Sequence, residues 1–272
     1  MDNYTVIMSV YSKVKPEYLQ TSIESILNQT FKPTEFILIK DGKLTEYQEE
    51  IINNIVNKKK KIFKIIEFNK NNGAGVAYNK GIELCSNKWA AIMDSDDYAS
   101  PEKFEKQMSY LSKHPEIDVI ASNAVEFIDD INNIVSTRKM PETNEEIIKF
   151  AHGRCPLIQP TAIFRVSAVK EAGSYQKSHL TEDYDLYIRM IMKGYNFYTY
   201  QEILYYIRTS ADFFKRRGGI SYLKPIICFK YKYYKKGFYS LKDFIVTTFA
   251  SFVVAIIPNK IRRFIYKKFL RD

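Results

Sequence analysis

Cysteine is scarce in this sequence: three in 272 residues, Cys85, Cys155 and Cys228. They are far apart and odd in number, and no Cys-x-x-Cys or Cys/His ligand spacing occurs. A disulfide framework and a structural zinc site are therefore not expected, and a reducing compartment fits. Tryptophan occurs once, as Trp89. The extended apolar run near the C-terminus, Phe244 to Ile257, has 14 residues and includes two threonines and a serine. That is short of the roughly 20 residues needed to cross a bilayer. The opening MDNYTVIMSVY has no basic stretch ahead of a long apolar core, so no signal peptide is expected. No internal repeat is evident.

The composition is that of a globular chain, with 46% hydrophobic and 26% charged residues. Widespread disorder is thus excluded, and the length allows one large domain or a domain with an appendage. The net charge of +10 is unevenly placed. From Tyr205 onward there are 16 Lys/Arg against three acids, whereas the preceding 204 residues hold 25 basic and 28 acidic residues. A tail of this sign seeks an acidic surface, either anionic lipid or nucleic acid.

The first hundred residues alternate between strand and helix patterns. Strands are expected at 4–11, 35–40, 62–68 and 89–93, with helices at 16–30, 45–58 and, after a glycine turn, within 71–85. Strands spaced by helices imply a mostly parallel, Rossmann-like α/β sheet. Ligands bind such sheets at the carboxyl ends of the strands. Tyr11, Asp41, Gly73 and Asp94 all follow strand ends and are expected to share one rim. Further on, helices are expected at 101–114, 143–151 and 181–194, the last capped by Thr181. Strands are expected at 117–129 and 161–165, and a strand pair at 197–208. The tail interleaves aromatics and lysines. A helical cap on the main domain, an interfacial membrane element and a nucleic-acid surface all remain open for it.

The segment AAIMDSDDYASP places Asp94, Asp96 and Asp97 within four residues after an apolar strand. One reading is a solvated turn with a helix cap before Pro101. A calcium loop of EF-hand type fails: its twelfth position is Glu105, as required, but its sixth is Ala99 where the turn needs Gly. The third reading is a hard divalent cation, held by few carboxylates and completed by substrate phosphate.

Six segments in order resemble family 2 glycosyltransferases of the GT-A fold, of bacterial surface-polysaccharide type. They are VIMSVYSKVKPEYLQTSIESILNQTF, FILIKDG, NNGAGVAYNKGIELC, AAIMDSDDYASPEKFEKQ, PTAIFRVSAVKEAG and TEDYDLYIRMIMKGY, spanning about residues 4 to 208. The resemblance implies that Ser9, Val10 and Tyr11 line a nucleotide pocket and that Asp41 recognises the base. Gly73 to Asn79 would pass the phosphates, where glycine permits close backbone approach. Asp94 and Asp96 form the DxD, with metal ligation by Asp94, Asp96 or Asp97. Asp183 matches the catalytic base, and Glu182 shapes the acceptor site. The departures are Lys40 and Lys43 around Asp41-Gly42, and Tyr78 where relatives commonly carry arginine. The QxxRW motif of processive synthases is absent, since Trp89 lies in a strand. That points to transfer of single sugars.

The resemblance thus implies an inverting hexosyl- or N-acetylhexosaminyltransferase. It would use Mn²⁺ or Mg²⁺ and a nucleotide-sugar donor, UDP-sugar above all, and act on a glycan or lipid-linked acceptor. A catalytically inactive sugar-nucleotide binder and a nucleic-acid binder are the alternatives, and no nucleic acid is expected. The expected organisation is a GT-A domain at 1–208, divided into a nucleotide half (1–100) and an acceptor half (101–208). A basic amphipathic region at 209–272 would follow and meet an anionic membrane surface on the cytoplasmic side. Within 208–219, Arg216 or Arg217 is expected to contact the diphosphate. Acceptor specificity is expected in 130–160 and 174–181.

Overall fold

The computed structural model describes residues 1–178, 180–209 and 219–258. The expected Arg216 and Arg217 contacts and the basic residues after Pro258 lie outside the described residues. The first half alternates regularly: β1 (Tyr4–Val10), α1 (Pro16–Leu27), β2 (Glu35–Asp41), α2 (Glu46–Lys59), β3 (Phe63–Phe68), α3 (Ala74–Leu84) and β4 (Trp89–Asp94). Local chemistry sets the boundaries. Pro16 sits at the first turn of α1, where its missing N–H costs nothing. Thr45 and Gln48 form a reciprocal capping box that starts α2. Gly73, at φ 89°, turns the chain into α3.

The second half adds β5 (Tyr98–Ala99), α4 (Lys103–Lys113), β6 (Val119–Phe127), β7 (Ile134–Arg138), α5 (Asn144–Ala151), β8 (Ile163–Arg165), α6 (Val166–Glu171), α7 (Glu182–Met192) and β9 (Phe197–Arg208). Nine strands among the described residues form one sheet in the order β3-β2-β1-β4-β8-β6-β9-β5, with β7 on β6. The four strands of the first half are mutually parallel. The second half is mixed: β8 runs antiparallel to β4 and β6, and β9 runs parallel to β6.

Two expectations are corrected. Residues 197–208 form one strand rather than a pair, because the register against β6 shifts at Ser122 and Asn123 and absorbs Gln201 and Glu202. Thr181 occupies the N-cap position of α7, but its hydroxyl pairs with Ser178 at 2.6 Å rather than with the helix backbone.

Strand alternation divides the core between the two faces of the sheet. Val6, Met8 and Val10 of β1 join Leu19, Ile23 and Ile26 of α1, Ile52 of α2 and Phe104 and Met108 of α4. Ile7 joins Ile37, Ile39, Ala77, Ile82, Val169 and Leu186 on the face covered by α3, α6 and α7. Gly81 lies so close to Ile7 that a Cβ there would overlap its side chain.

The C-terminal part contributes α8 (Ile220–Lys235) and α9 (Leu241–Ile256). A third apolar cluster packs α8 on the main domain, with Tyr184 and Ile188 of α7 against Phe229, Tyr233, Phe238 and Tyr239. At its edge the buried Asp185 carboxylate takes hydrogen bonds from Arg189 (2.8 Å), Lys232 (2.5 Å) and the Tyr233 hydroxyl (2.7 Å). Burial raises the Asp185 carboxyl, but these donors outweigh it and hold it below the usual range.

Removing this carboxylate strands Arg189 among buried groups. Asp185→Ala is expected to cost about 3–5 kcal/mol of stability, read by denaturant unfolding. Hydrogen exchange should show α8 amides losing protection before those of β1. Unchanged α8 protection would remove Asp185 as the tie.

Candidate active site

Because β1, β2 and β4 are parallel, their carboxyl ends open on one rim. Ser9 is in register with Asp94 and with Ile39 of β2, and Asp41 closes the next strand. Tyr11, just past β1, is 40% exposed at this rim. Its carbonyl accepts the side-chain N–H of buried Gln48 (3.1 Å), which also binds the Val14 carbonyl (2.7 Å). The β1–α1 loop is thereby fixed from α2. Val10 is fully buried, and Ser9 is partly so.

Asp41 is buried, and each of its oxygens accepts a backbone N–H from the glycine turn, Asn72 at 2.7 Å and Gly73 at 3.0 Å. This orders the entry to α3. The turn is tight on its other side as well, since a Cβ on Gly42 would stand 2.8 Å from the Asn71 nitrogen. Asn79 is half-buried on the second turn of α3. Lys40 does not face the rim: its ammonium pairs with Glu49 (2.6 Å) and Glu67 (2.8 Å). Lys43 is exposed beside Glu46, Glu49 and Glu50. Lys40 is thus held against α2 and β3.

The aspartate loop is no solvated turn. Ser95 and Asp97 are buried, and Asp94 and Asp96 are partly so. The Tyr78 hydroxyl donates to Asp94 Oδ1 at 2.7 Å, and the Asp94 carbonyl accepts from Ser22 at 2.7 Å. The Asp97 carboxylate accepts the Arg208 backbone N–H at 2.7 Å. Arg208 gives Nε to the Asp96 carbonyl and Nη1 to the Asp129 carbonyl, both at 2.9 Å. Its guanidinium lies over the rings of Tyr18 (3.8 Å) and Phe127 (4.5 Å). No local pattern announces the hydrogen bonds of Tyr78, Arg208 and Gln48, because these partners lie 16, 79 to 112 and 34 to 37 residues away in sequence.

Electrostatics joins this loop to α7. Burial and repulsion from Asp96 push the Asp94 carboxyl up to about 6 against the Tyr78 hydrogen bond, and Asp183 and Glu182 add further repulsion. Asp97 is raised by burial and by both neighbouring aspartates. Asp183, in the first turn of α7, is raised by burial, while the Tyr184 N–H at 2.7 Å and the Cys155 thiol at 3.6 Å stabilise its charge. The N-terminus of α3 also reaches this space, since a Cβ on Gly75 would stand 3.1 Å from Glu182.

Among the described residues, no three His, Cys, Asp or Glu side chains gather closely enough to hold a metal ion. The trio Asp94, Asp96 and Asp97 is thus not a ready-made cage, and Asp97 is committed to the Arg208 backbone. The donor set nevertheless suits Mg²⁺ or Mn²⁺. It is all oxygen and mutually repelling, and such ions take one or two carboxylates and complete their shell with water and phosphate.

A family model described as "Glycosyl transferase family 2" matches residues 5–173. A Haemophilus influenzae protein described as an uncharacterized glycosyltransferase is 33% identical over 269 residues, covering 98% of this chain and 99% of that one. An Escherichia coli protein named UDP-Gal:alpha-D-GlcNAc-diphosphoundecaprenol beta-1,3-galactosyltransferase is 30% identical over 270 residues, covering 98% and 96%. Among solved structures, S. aureus TarS 1–349 matches with TM-score 0.60 at 18% identity, covering 79% of this chain and 63% of that one. Its complex with UDP-GlcNAc matches with TM-score 0.64 at 15% identity, covering 98% and 71%. These structures establish a common fold, that of GT-A glycosyltransferases.

The Asp94 shift has a consequence for stability in divalent-free buffer. The folded state keeps a proton on Asp94 to about pH 6, whereas the ordinary value is 3.8. The contribution is therefore greatest below pH 3.8 and is lost as pH rises towards 6. Asp94→Asn, which can still accept from Tyr78, should melt higher than wild type above that window and show a smaller decline within it. Parallel Tm profiles with EDTA would count against the repulsion.

Proposed function

Because the chain belongs to glycosyl transferase family 2, we propose that it moves one sugar, with inversion, from a UDP-sugar to a glycan or lipid-linked oligosaccharide in bacterial surface-polysaccharide synthesis. The observation that carries this reading is the convergence at one rim of the base-side residues, the aspartate loop and the Asp183 end of α7. The E. coli relative, whose name specifies a UDP-sugar donor and a diphosphoundecaprenol-linked acceptor, supports the donor and acceptor classes. A second relative at 31% identity, from Erwinia amylovora, is named for amylovoran biosynthesis and supports the polysaccharide context.

In this reading Ser9, Val10 and Tyr11 form the floor and edge of the nucleotide pocket. Asp41 uses the lone-pair directions left over from its bonds to Asn72 and Gly73 to accept a ring N–H of the base. The diphosphate lies towards the N-terminus of α3, where backbone N–H groups and the helix dipole favour anions. Asp94 and Asp96 would hold Mg²⁺ or Mn²⁺, which neutralises charge on the departing diphosphate when bound.

Asp183 accepts the proton of the acceptor hydroxyl as that oxygen bonds to the anomeric carbon. The bond from that carbon to the diphosphate breaks, and the nucleoside diphosphate leaves with the electron pair. Attack from the face opposite the leaving group inverts the anomeric centre. The raised Asp183 carboxyl is suited to this role, since burial makes it a stronger base than a surface aspartate.

Asp183→Asn should lower kcat by roughly 10²–10⁴-fold with donor affinity nearly unchanged. Near-normal turnover would remove it as the base. Asp96→Ala should weaken Mn²⁺-dependent UDP binding measured by calorimetry, and an unchanged metal titration would count against its ligand role. A panel of nucleotide sugars scored by thermal stabilisation with Mn²⁺ should single out the donor. Stabilisation without transfer to any acceptor would favour an inactive sugar-nucleotide binder.

A further inference from the structure

Helix α9 is built inside out. A helix lying on a soluble domain normally turns its apolar stripe inward and its polar residues to water. Here the polar side chains face the protein. Ser251 Oγ accepts from the buried Lys230 ammonium at 2.7 Å, the Thr247 carbonyl accepts from the same group, and the Thr247 and Thr248 hydroxyl oxygens are buried. Phe244 stacks on Tyr234 at 5.2 Å, and buried Ala255 accepts the Gly219 N–H at 3.1 Å. The outer face carries Ile245, Phe249, Phe252 and Ile256 at helical spacing, between 48% and 67% exposed. Leu241, Val246 and Val253 widen it.

We propose that this face is a lipid-docking surface, which lays α9 in the interface of an anionic membrane without crossing it. Sixteen residues of helix are about 24 Å long, short of the roughly 30 Å hydrocarbon core. Consistently, no helix among the described residues is long and apolar enough to span a membrane. The charge around the face matches the partner. Residues 219–258 carry six lysines and one acid, Asp243. Lys224, Lys235, Lys236 and Lys242 are exposed. The following 14 residues of the sequence add six Lys/Arg and one acid. Basic groups flanking an apolar face attract anionic headgroups while the apolar side chains enter the acyl boundary.

A second copy of the chain is a poorer occupant. One face of a helix about 24 Å long and about 10 Å wide offers a few hundred Å², against roughly 800 Å² per partner in a standard interface. Like-charged lysines would also meet across it. The surface is independent of the reaction, because none of its residues touches the candidate active site.

Flotation of the full chain with vesicles tests this. Wild type should float with phosphatidylcholine vesicles containing phosphatidylglycerol and much less with phosphatidylcholine alone. Phe249→Asp combined with Phe252→Asp should lower the floated fraction roughly tenfold. Thermal stabilisation by UDP with Mn²⁺ should be the same in both proteins, which reports that the variant is folded and reads the nucleotide site separately. The proposal is overturned if wild type does not float on anionic vesicles, or if the variant floats as wild type does. It is equally overturned if light scattering shows a wild-type dimer that the variant dissolves while flotation is absent.

Discussion

Repulsion between carboxylates governs the arrangement of this molecule. Asp94, Asp96 and Asp97 are drawn out of water at the end of β4, and Glu182 and Asp183 face them from α7. Each charge raises the cost of ionising the others, so the loop is stable only because other groups hold it. Those holders are uncharged or carry their charge away from the carboxylates. A phenol bonds Asp94, a backbone N–H bonds Asp97, and Arg208 spends its guanidinium on carbonyl oxygens and aromatic rings. The Arg138 charge favours the ionised Asp183, while burial there works the other way.

The two halves of the sheet serve this arrangement differently. The parallel half delivers strand ends to a common rim, and its loops are tied from behind by Gln48 and Asp41. The mixed half supplies braces. Strand β9 runs alongside β6, passes β5 and ends at Arg208, where its backbone and side chain grip the aspartate loop. Helix α7 closes the space opposite, with the raised Asp183 carboxyl in its first turn.

Much of the first half was legible because strand and helix periodicities there are strong and the punctuation is conventional: Pro16, Thr45 and Gly73 mark helix starts in the sequence and in the structure. The convergence of Tyr11, Asp41 and Asp94 follows from parallel strands alone. Legibility fell where function depends on contacts distant in sequence. Tyr78 stood out only as a departure from its relatives, and nothing local reveals that its hydroxyl reaches Asp94. The polar Gln201-Glu202 looks like a turn between two strands, whereas a bulge lets one strand carry both. Lys40 sits beside Asp41 in sequence, but its side chain goes to Glu49 of α2 and Glu67 of β3. For the tail the sequence leaves open a packed cap, an interfacial element and a nucleic-acid surface. Helix α8 is packed on α7, and the exposed apolar face belongs to α9.

The Asp185 cluster has a mechanical meaning. Asp185 lies two residues beyond Asp183 on the same helix and is clamped to Lys232 and Tyr233 of α8, which in turn carries α9 through Lys230. The path from the outer apolar face to the Asp183 carboxylate thus runs through side-chain hydrogen bonds from α9 to α8 and from α8 to α7. A chain resting on a surface through α9 would hold that carboxylate at a set height above it. Such a molecule would act as a gauge, reaching acceptor hydroxyls at one elevation.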